Sequence, residues 1–144
     1  MARSEFRFYH PLRVRWSEVD MQGTVFNGHY LTYFDVAFTE YWRATGLPDV
    51  QQQARNGIEL FARKATIEYL APARFDDVLD IGVRCASIGT SSLTFALEIH
   101  LDTLQLISGE LVYVHAGTSA RKAVSVPQDW RRRLTEFEQA SALD

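Results

Sequence analysis

Between Tyr30 and Thr45 lies a helical segment that is apolar on most of its sides. Leu31, Phe34, Phe38, Tyr41 and Thr45 keep the i, i+3, i+4 rhythm of a helix face, and Val36, Ala37 and Trp42 widen the stripe. Only Thr32, Asp35, Thr39, Glu40 and Arg43 interrupt it. Such a helix has to be covered almost all round. Gly46 suits the residue after its end, Pro48 cannot continue it, and Asn27 suits its N-cap.

The cover is legible in the rest of the chain, which alternates with period two. Leu12, Val14 and Trp16 predict a first strand behind Pro11. Leu60, Ala62, Ala65, Ile67 and Tyr69 predict a second, with an irregularity near Arg63. Leu79, Ile81, Val83 and Cys85 form a third; Leu93, Phe95, Leu97, Ile99 and Leu101 a fourth; Leu111 to Ala116 a fifth. Pro72 with Asp76-Asp77, Gly89 to Ser92, and Asp102-Thr103 are the turns between them. A short amphipathic helix, Pro127 to Phe137, follows. One long helix after the first strand and then four antiparallel strands is an α+β order, in which a five-stranded antiparallel sheet wraps the central helix. The 144 residues predict a single domain over 1–144.

The chemistry concentrates just before the helix. Asp20 puts a carboxylate in a turn; Gly23 follows, then a run of N–H groups at a helix start. That combination suits attack on a carbonyl. The acid serves as base or nucleophile, and the open N–H groups stabilise an oxyanion.

The stretch Arg15-Trp16-Ser-Glu18-Val-Asp20-Met-Gln-Gly23-Thr-Val25-Phe-Asn27-Gly28-His29-Tyr30 resembles the leading motif of hotdog-fold acyl-CoA thioesterases of the 4-hydroxybenzoyl-CoA thioesterase type. Thr39-Glu40 in the helix, Gly89-x-Ser91-Ser92 between strands and the Arg121 to Pro127 exit extend the likeness over nearly the whole chain. The resemblance implies a thioester hydrolase for acyl-CoA, with Asp20 as general base or nucleophile and the Asn27 N–H facing the thioester oxygen. Gly28 either lets the acyl-pantetheine approach the backbone closely or eases the helix entry, and Tyr30 matches a family aromatic packed beneath the site. In the best-studied branch, basic residues between the third and fourth strands meet the nucleotide phosphates. Here that turn offers the hydroxyls and N–H groups of Thr90, Ser91 and Ser92 without a cation. Ser91 is therefore the expected substrate contact there, and phosphate contact comes from Arg121 or Lys122 or stays weak and solvent-exposed. The family's assembly implies a homodimer, or a homotetramer built from two. Two other readings of the same fold are a non-catalytic acyl-CoA or apolar-ligand binder and a hydroxyacyl-thioester dehydratase. The latter usually pairs a histidine with a helix acid, a role for which His29 and Glu40 are poorly spaced.

Glu18 reads as structural, or as a like-charged neighbour on the strand face of Asp20 that would raise its pKa. His29 reads as a first-turn surface residue, Cys85 as a core thiol, and Arg131-Arg132-Arg133 as a solvated helix face. His10, His100 and His115 make no metal-ligand spacing, so neither a metal nor another cofactor is expected. A net charge of −3 gives no electrostatic case for nucleic acid or an anionic membrane. No apolar run approaches the ~20 residues of a membrane span. The first residues lack a signal-peptide core, and one cysteine permits no internal disulfide, so a cytoplasmic protein is expected.

Overall fold

The computed structural model describes residues 5–140; Met1 to Ser4, where a leader was sought above, lie outside the described residues. In chain order the elements are β1 (Phe8–Arg13), a 3-10 turn (Trp16–Glu18), α1 (His29–Thr45), α2 (Val50–Arg55), β2 (Ile58–Tyr69), β3 (Val78–Ile88), β4 (Ser92–Leu101), β5 (Leu104–Gly117) and α3 (Gln128–Ala140). The strands form one antiparallel sheet in the order β1-β3-β4-β5-β2. The register of β2 on β5 shifts between Ala62 and Lys64, at the irregularity expected near Arg63.

α1 lies on one face of this sheet. Its side chains Tyr33, Phe34, Ala37 and Tyr41 are buried with the inward residues Leu79, Ile81, Val83, Leu93, Phe95, Leu97 and Ile99. Phe38 stacks on Tyr113 with ring centroids 4.5 Å apart and meets Phe95 edge-on at 4.8 Å. The closest approach is at Gly109, where a Cβ would stand 2.4 Å from Phe34 Cε2. Only glycine lets the helix sit this close to β5. At the far end of α1, Gly46 takes a left-handed φ of 75° and Arg133 of α3 donates to its carbonyl.

Four expectations need correction. The first strand ends at Arg13; Val14 is buried, but Trp16 leaves the strand on the 3-10 turn and is 74% exposed. Glu18, on that turn, shares no strand face with Asp20. Asn27 is not the N-cap of α1: Gly28 holds that position, and no side chain caps the helix. The arginine run of α3 is only partly solvated, since Arg131 donates to the carbonyls of Gly89, Thr90 and Val126 and Arg133 to that of Gly46. Both clamp α3 to the rest of the fold.

α2 was not anticipated, although Asp49 and Gln52 form a reciprocal capping box that spells its start. His100, isolated on its strand in sequence, is buried with its Nε2 3.0 Å from Glu98 Oε1.

Candidate active site

The segment that carries Asp20 is held by its own backbone. Gly23 N–H donates to the Asp20 carbonyl at 2.9 Å, and Asp20 N–H to the Thr24 carbonyl at 2.9 Å. Gly23 closes this turn at φ 79°, a conformation that L side chains rarely adopt. The Asp20 carboxylate accepts from Gln22 N–H at 2.9 Å and is otherwise presented to solvent.

Beneath the turn, Glu18 points inward. Its Oε1 accepts from Arg15 N–H and from the Tyr33 hydroxyl, each at 2.8 Å, and its Oε2 accepts from Arg15 Nε at 2.9 Å. Burial pushes the Glu18 carboxyl up, but the bonds from Arg15 and Tyr33 outweigh it and hold the group below the ordinary glutamate range. Tyr33 is raised by its own burial and by its bond to Glu18. Glu18 is thus a charged staple between the Arg15–Glu18 turn and α1, in line with its structural reading.

The helix start faces the same space. His29 N–H donates to the Phe26 carbonyl at 2.9 Å, and Tyr30 N–H to the Asn27 carbonyl at 3.4 Å. Among the described residues, the N–H groups of Asn27 and Gly28 have no acceptor. They are two open donors at the positive end of a 17-residue helix. Asp20, Thr24, Phe26, Asn27, Tyr30 and Tyr69 line a cavity of about 410 Å³ at this point. Gly28 is not part of the cavity wall; the Phe26 ring lies over it, and a Cβ there would stand 3.1 Å from Phe26 Cε2.

Tyr30 closes the floor. It is buried, and its hydroxyl oxygen accepts from Ala73 N–H at 3.0 Å, fastening the 70–73 wall to the helix. Burial raises its pKa, which keeps the phenol neutral. In the sequence Tyr69 is only the last position of the second strand. It lines the cavity and donates its hydroxyl to the Asn27 carbonyl at 3.3 Å, across 42 residues of chain. No local signal marks it.

Ser91 is not brought to Asp20 within this chain. Its carbonyl accepts from His115 N–H at one end of β5, whereas Tyr69 of the cavity pairs with Ile107 near the other. The eight residues from Ile107 to His115 span roughly 26 Å. Arg121 and Lys122 share the Ser91 end, where Gly117 N–H donates to the Lys122 carbonyl. His29 packs edge-on against Phe26 outside the cavity wall, and Glu40 is paired with Arg43, so a dehydratase pair is not assembled. Burial pushes the Cys85 thiol up to about 12, in keeping with a core thiol. Among the described residues no group of three His, Cys, Asp or Glu side chains could hold a metal ion, and no helix is long and apolar enough to cross a membrane.

With this geometry in place, the chain can be set beside known proteins that it resembles over most of its length. Acyl-CoA thioester hydrolase YbgC of Escherichia coli O157:H7 is 29% identical over 133 residues, covering 92% of this chain and 96% of that protein. The crystal structure of the PA5185 protein of Pseudomonas aeruginosa superposes with a TM-score of 0.81 at 27% identity, covering 92% of each chain. A 1,4-dihydroxy-2-naphthoyl-CoA thioesterase from Synechocystis superposes with a TM-score of 0.84 over 91% of this chain and 97% of that one; at 20% identity it attests the fold alone. Residues 22–108, which begin two residues after Asp20 and run through α1 and β2 to β4 and into β5, match the family described as Thioesterase superfamily, and the chain belongs to that family.

Proposed function

We propose that this protein is an acyl-CoA thioesterase, hydrolysing the thioester to a free carboxylic acid and coenzyme A. The observation that carries the proposal is the presence on one cavity of a solvent-open carboxylate, Asp20, and of Asn27 at the start of α1, whose N–H group is unclaimed, as is that of Gly28 next to it. Asp20 activates water for attack on the carbonyl carbon or attacks it directly. The N–H groups receive the oxygen as it gains charge, and collapse of the intermediate expels the coenzyme A thiolate; where Asp20 itself attacked, water then hydrolyses the acyl-aspartyl anhydride to the free acid and restores the carboxylate. Each such donor is typically worth ~3 kcal/mol in the transition state. Tyr30 and Tyr69 hold the walls, and Gly28 leaves room for the Phe26 ring, which in turn shapes the mouth through which the thioester approaches.

The proposed working unit is a single domain in a homodimer, or a homotetramer built from two. β2 is an edge strand of 12 residues whose Phe61, Ala62, Lys64, Ala65 and Thr66 are exposed, an open template for a second copy. In such an assembly Ser91, Arg121 and Lys122 of one copy would approach the cavity of the other, the arrangement in which Ser91 contacts substrate. A single cysteine, which permits no internal disulfide, supports a cytoplasmic setting.

The test is release of free thiol from a panel of acyl-CoA thioesters. Asp20→Asn keeps the shape of the side chain and removes its charge; kcat should fall by at least ~100-fold while acyl-CoA affinity changes little. A variant that turns over at the wild-type rate would reduce Asp20 to a turn residue. A wild type that binds acyl-CoA and releases no thiol from any member of the panel would leave a binding protein.

A further inference from the structure

We propose that the nucleotide half of the coenzyme A thioester lies on a platform formed by Trp16, Phe75 and Arg74 at the rim of the Asp20 cavity; this rests on the acyl-CoA reading above. Trp16 and Phe75 are 74% and 48% exposed, yet their rings meet edge-on at 5.2 Å and 88°. Both are presented by turns that hydrogen bonds hold in shape. Trp16 stands on the 3-10 turn closed by Arg15 and Glu18. Phe75 sits in a turn where Arg74 N–H donates to Asp77 Oδ2 at 2.8 Å and Asp77 N–H to the Arg74 carbonyl at 3.2 Å. A rigidly held, water-exposed aromatic pair adds little to the core but offers ring faces to a flat heterocycle, and bases stack on such faces regardless of sequence.

The cation beside the rings is the second observation. Among the described residues the exposed Arg74 guanidinium has no hydrogen-bond or ion-pair partner. Its neighbours are already engaged: Arg13 with Asp76 at 3.1 Å, Arg15 with Glu18, and Asp77 with the Arg74 backbone. Arg74 is therefore the guanidinium left for a phosphate, the anion its planar fork suits best.

Position is the third. Thr24, which lines the cavity, is bridged to Arg74, and Val25 N–H donates to the Ala73 carbonyl at 2.9 Å. Pro72 also lines the cavity, and the three residues from there to Phe75 span at most ~11 Å. The pantetheine arm and diphosphate that separate a thioester from its adenine cover that distance. A thioester at Asp20 thus has its nucleotide end within reach of Arg74 and the two rings. The β3–β4 turn, by contrast, carries no cation of its own, and Arg131 covers its carbonyls.

The experiment compares one acyl group on two carriers: coenzyme A, and N-acetylcysteamine, which lacks the nucleotide. Trp16→Ala should raise KM for acyl-CoA by roughly 5- to 100-fold, the scale of a lost base–aromatic stack, with kcat unchanged. Arg74→Ala should raise it less and make the remaining affinity less sensitive to salt. Neither variant should alter kcat/KM for the acyl-N-acetylcysteamine thioester, and Trp16→Phe should restore most of the acyl-CoA affinity. An unchanged KM for acyl-CoA, or equal losses on both carriers, would overturn the platform. Calorimetric titration with adenosine 3′,5′-bisphosphate supplies a readout independent of turnover. The wild type should bind it and both alanine variants should bind it more weakly; a wild type that does not bind it refutes the platform. Absence of thiol release from both carriers, with nucleotide binding intact, would instead fail the thioesterase reading alone.

Discussion

Gly109→Ala tests the contact that seats α1, and with it the helix start, on the sheet. The added Cβ would stand 2.4 Å from Phe34 Cε2, 2.7 Å from Phe34 Cζ and 2.7 Å from the Thr66 carbonyl oxygen. Neither neighbour can give way cheaply. Phe34 is fully buried, and Thr66 belongs to the β2–β5 ladder, opposite Glu110. Overpacking of this kind costs ~1–3 kcal/mol, and clashes on two sides place this site toward the upper end. The narrower unfolded ensemble of alanine offsets at most ~1 kcal/mol. A net loss of about 2 kcal/mol should lower Tm by ~4–8 °C in a chain of this size. Thermal denaturation followed by circular dichroism reads the shift directly. Phe34→Leu in the Gly109→Ala background removes ring atoms that the new methyl meets, so the double variant should lose less than the two single losses summed, by ~1 kcal/mol or more. A Gly109→Ala protein that melts with the wild type, or losses that simply add, would refute the close seating of Phe34 on β5.

Two further outcomes follow from the charge and edge geometry. Glu18→Gln should cost ~2–3 kcal/mol at neutral pH, because the buried Tyr33 hydroxyl and Arg15 lose a charged acceptor. Since the folded protein holds the Glu18 carboxyl below its usual value of 4.5, that contribution is complete above this pH and is lost as pH falls through the folded value. Urea denaturation should therefore show the gap between wild type and variant narrowing in acid, and a gap that is constant with pH contradicts the staple. Light scattering at micromolar concentration should give at least twice the 16.5 kDa of one chain, and a stable, active monomer would remove the role proposed for the β2 edge.

Much of the fold was legible in the residues themselves. The segment from Tyr30 to Thr45 announced α1 to within one residue of its start, and the alternation in Leu93 to Leu101 announced β4. Even the break near Arg63 was visible as a slip in phase. Of the site, the turn at Asp20 and the helix start after it were readable, because Gly23 and the onset of helical periodicity are neighbours in the chain. α2 was equally readable from Asp49 and Gln52 and was missed.

What the sequence by itself determined was thus the type and phase of each element, since strand and helix periods arise from backbone geometry over a few residues. Tertiary structure decided which way the ambiguous side chains face. Trp16 continues a strand pattern but is turned out to Phe75, while the charged Glu18 two residues on is turned in, because Arg15 and Tyr33 supply its buried carboxylate with partners. It also decided distance. Tyr69 reaches Asn27 across 42 residues, whereas Ser91 lies at the opposite end of β5 from the cavity. Such separations depend on strand order and on how closely a helix can approach the sheet, down to the missing methyl at Gly109, and these are properties of the packed whole that no short window of sequence contains.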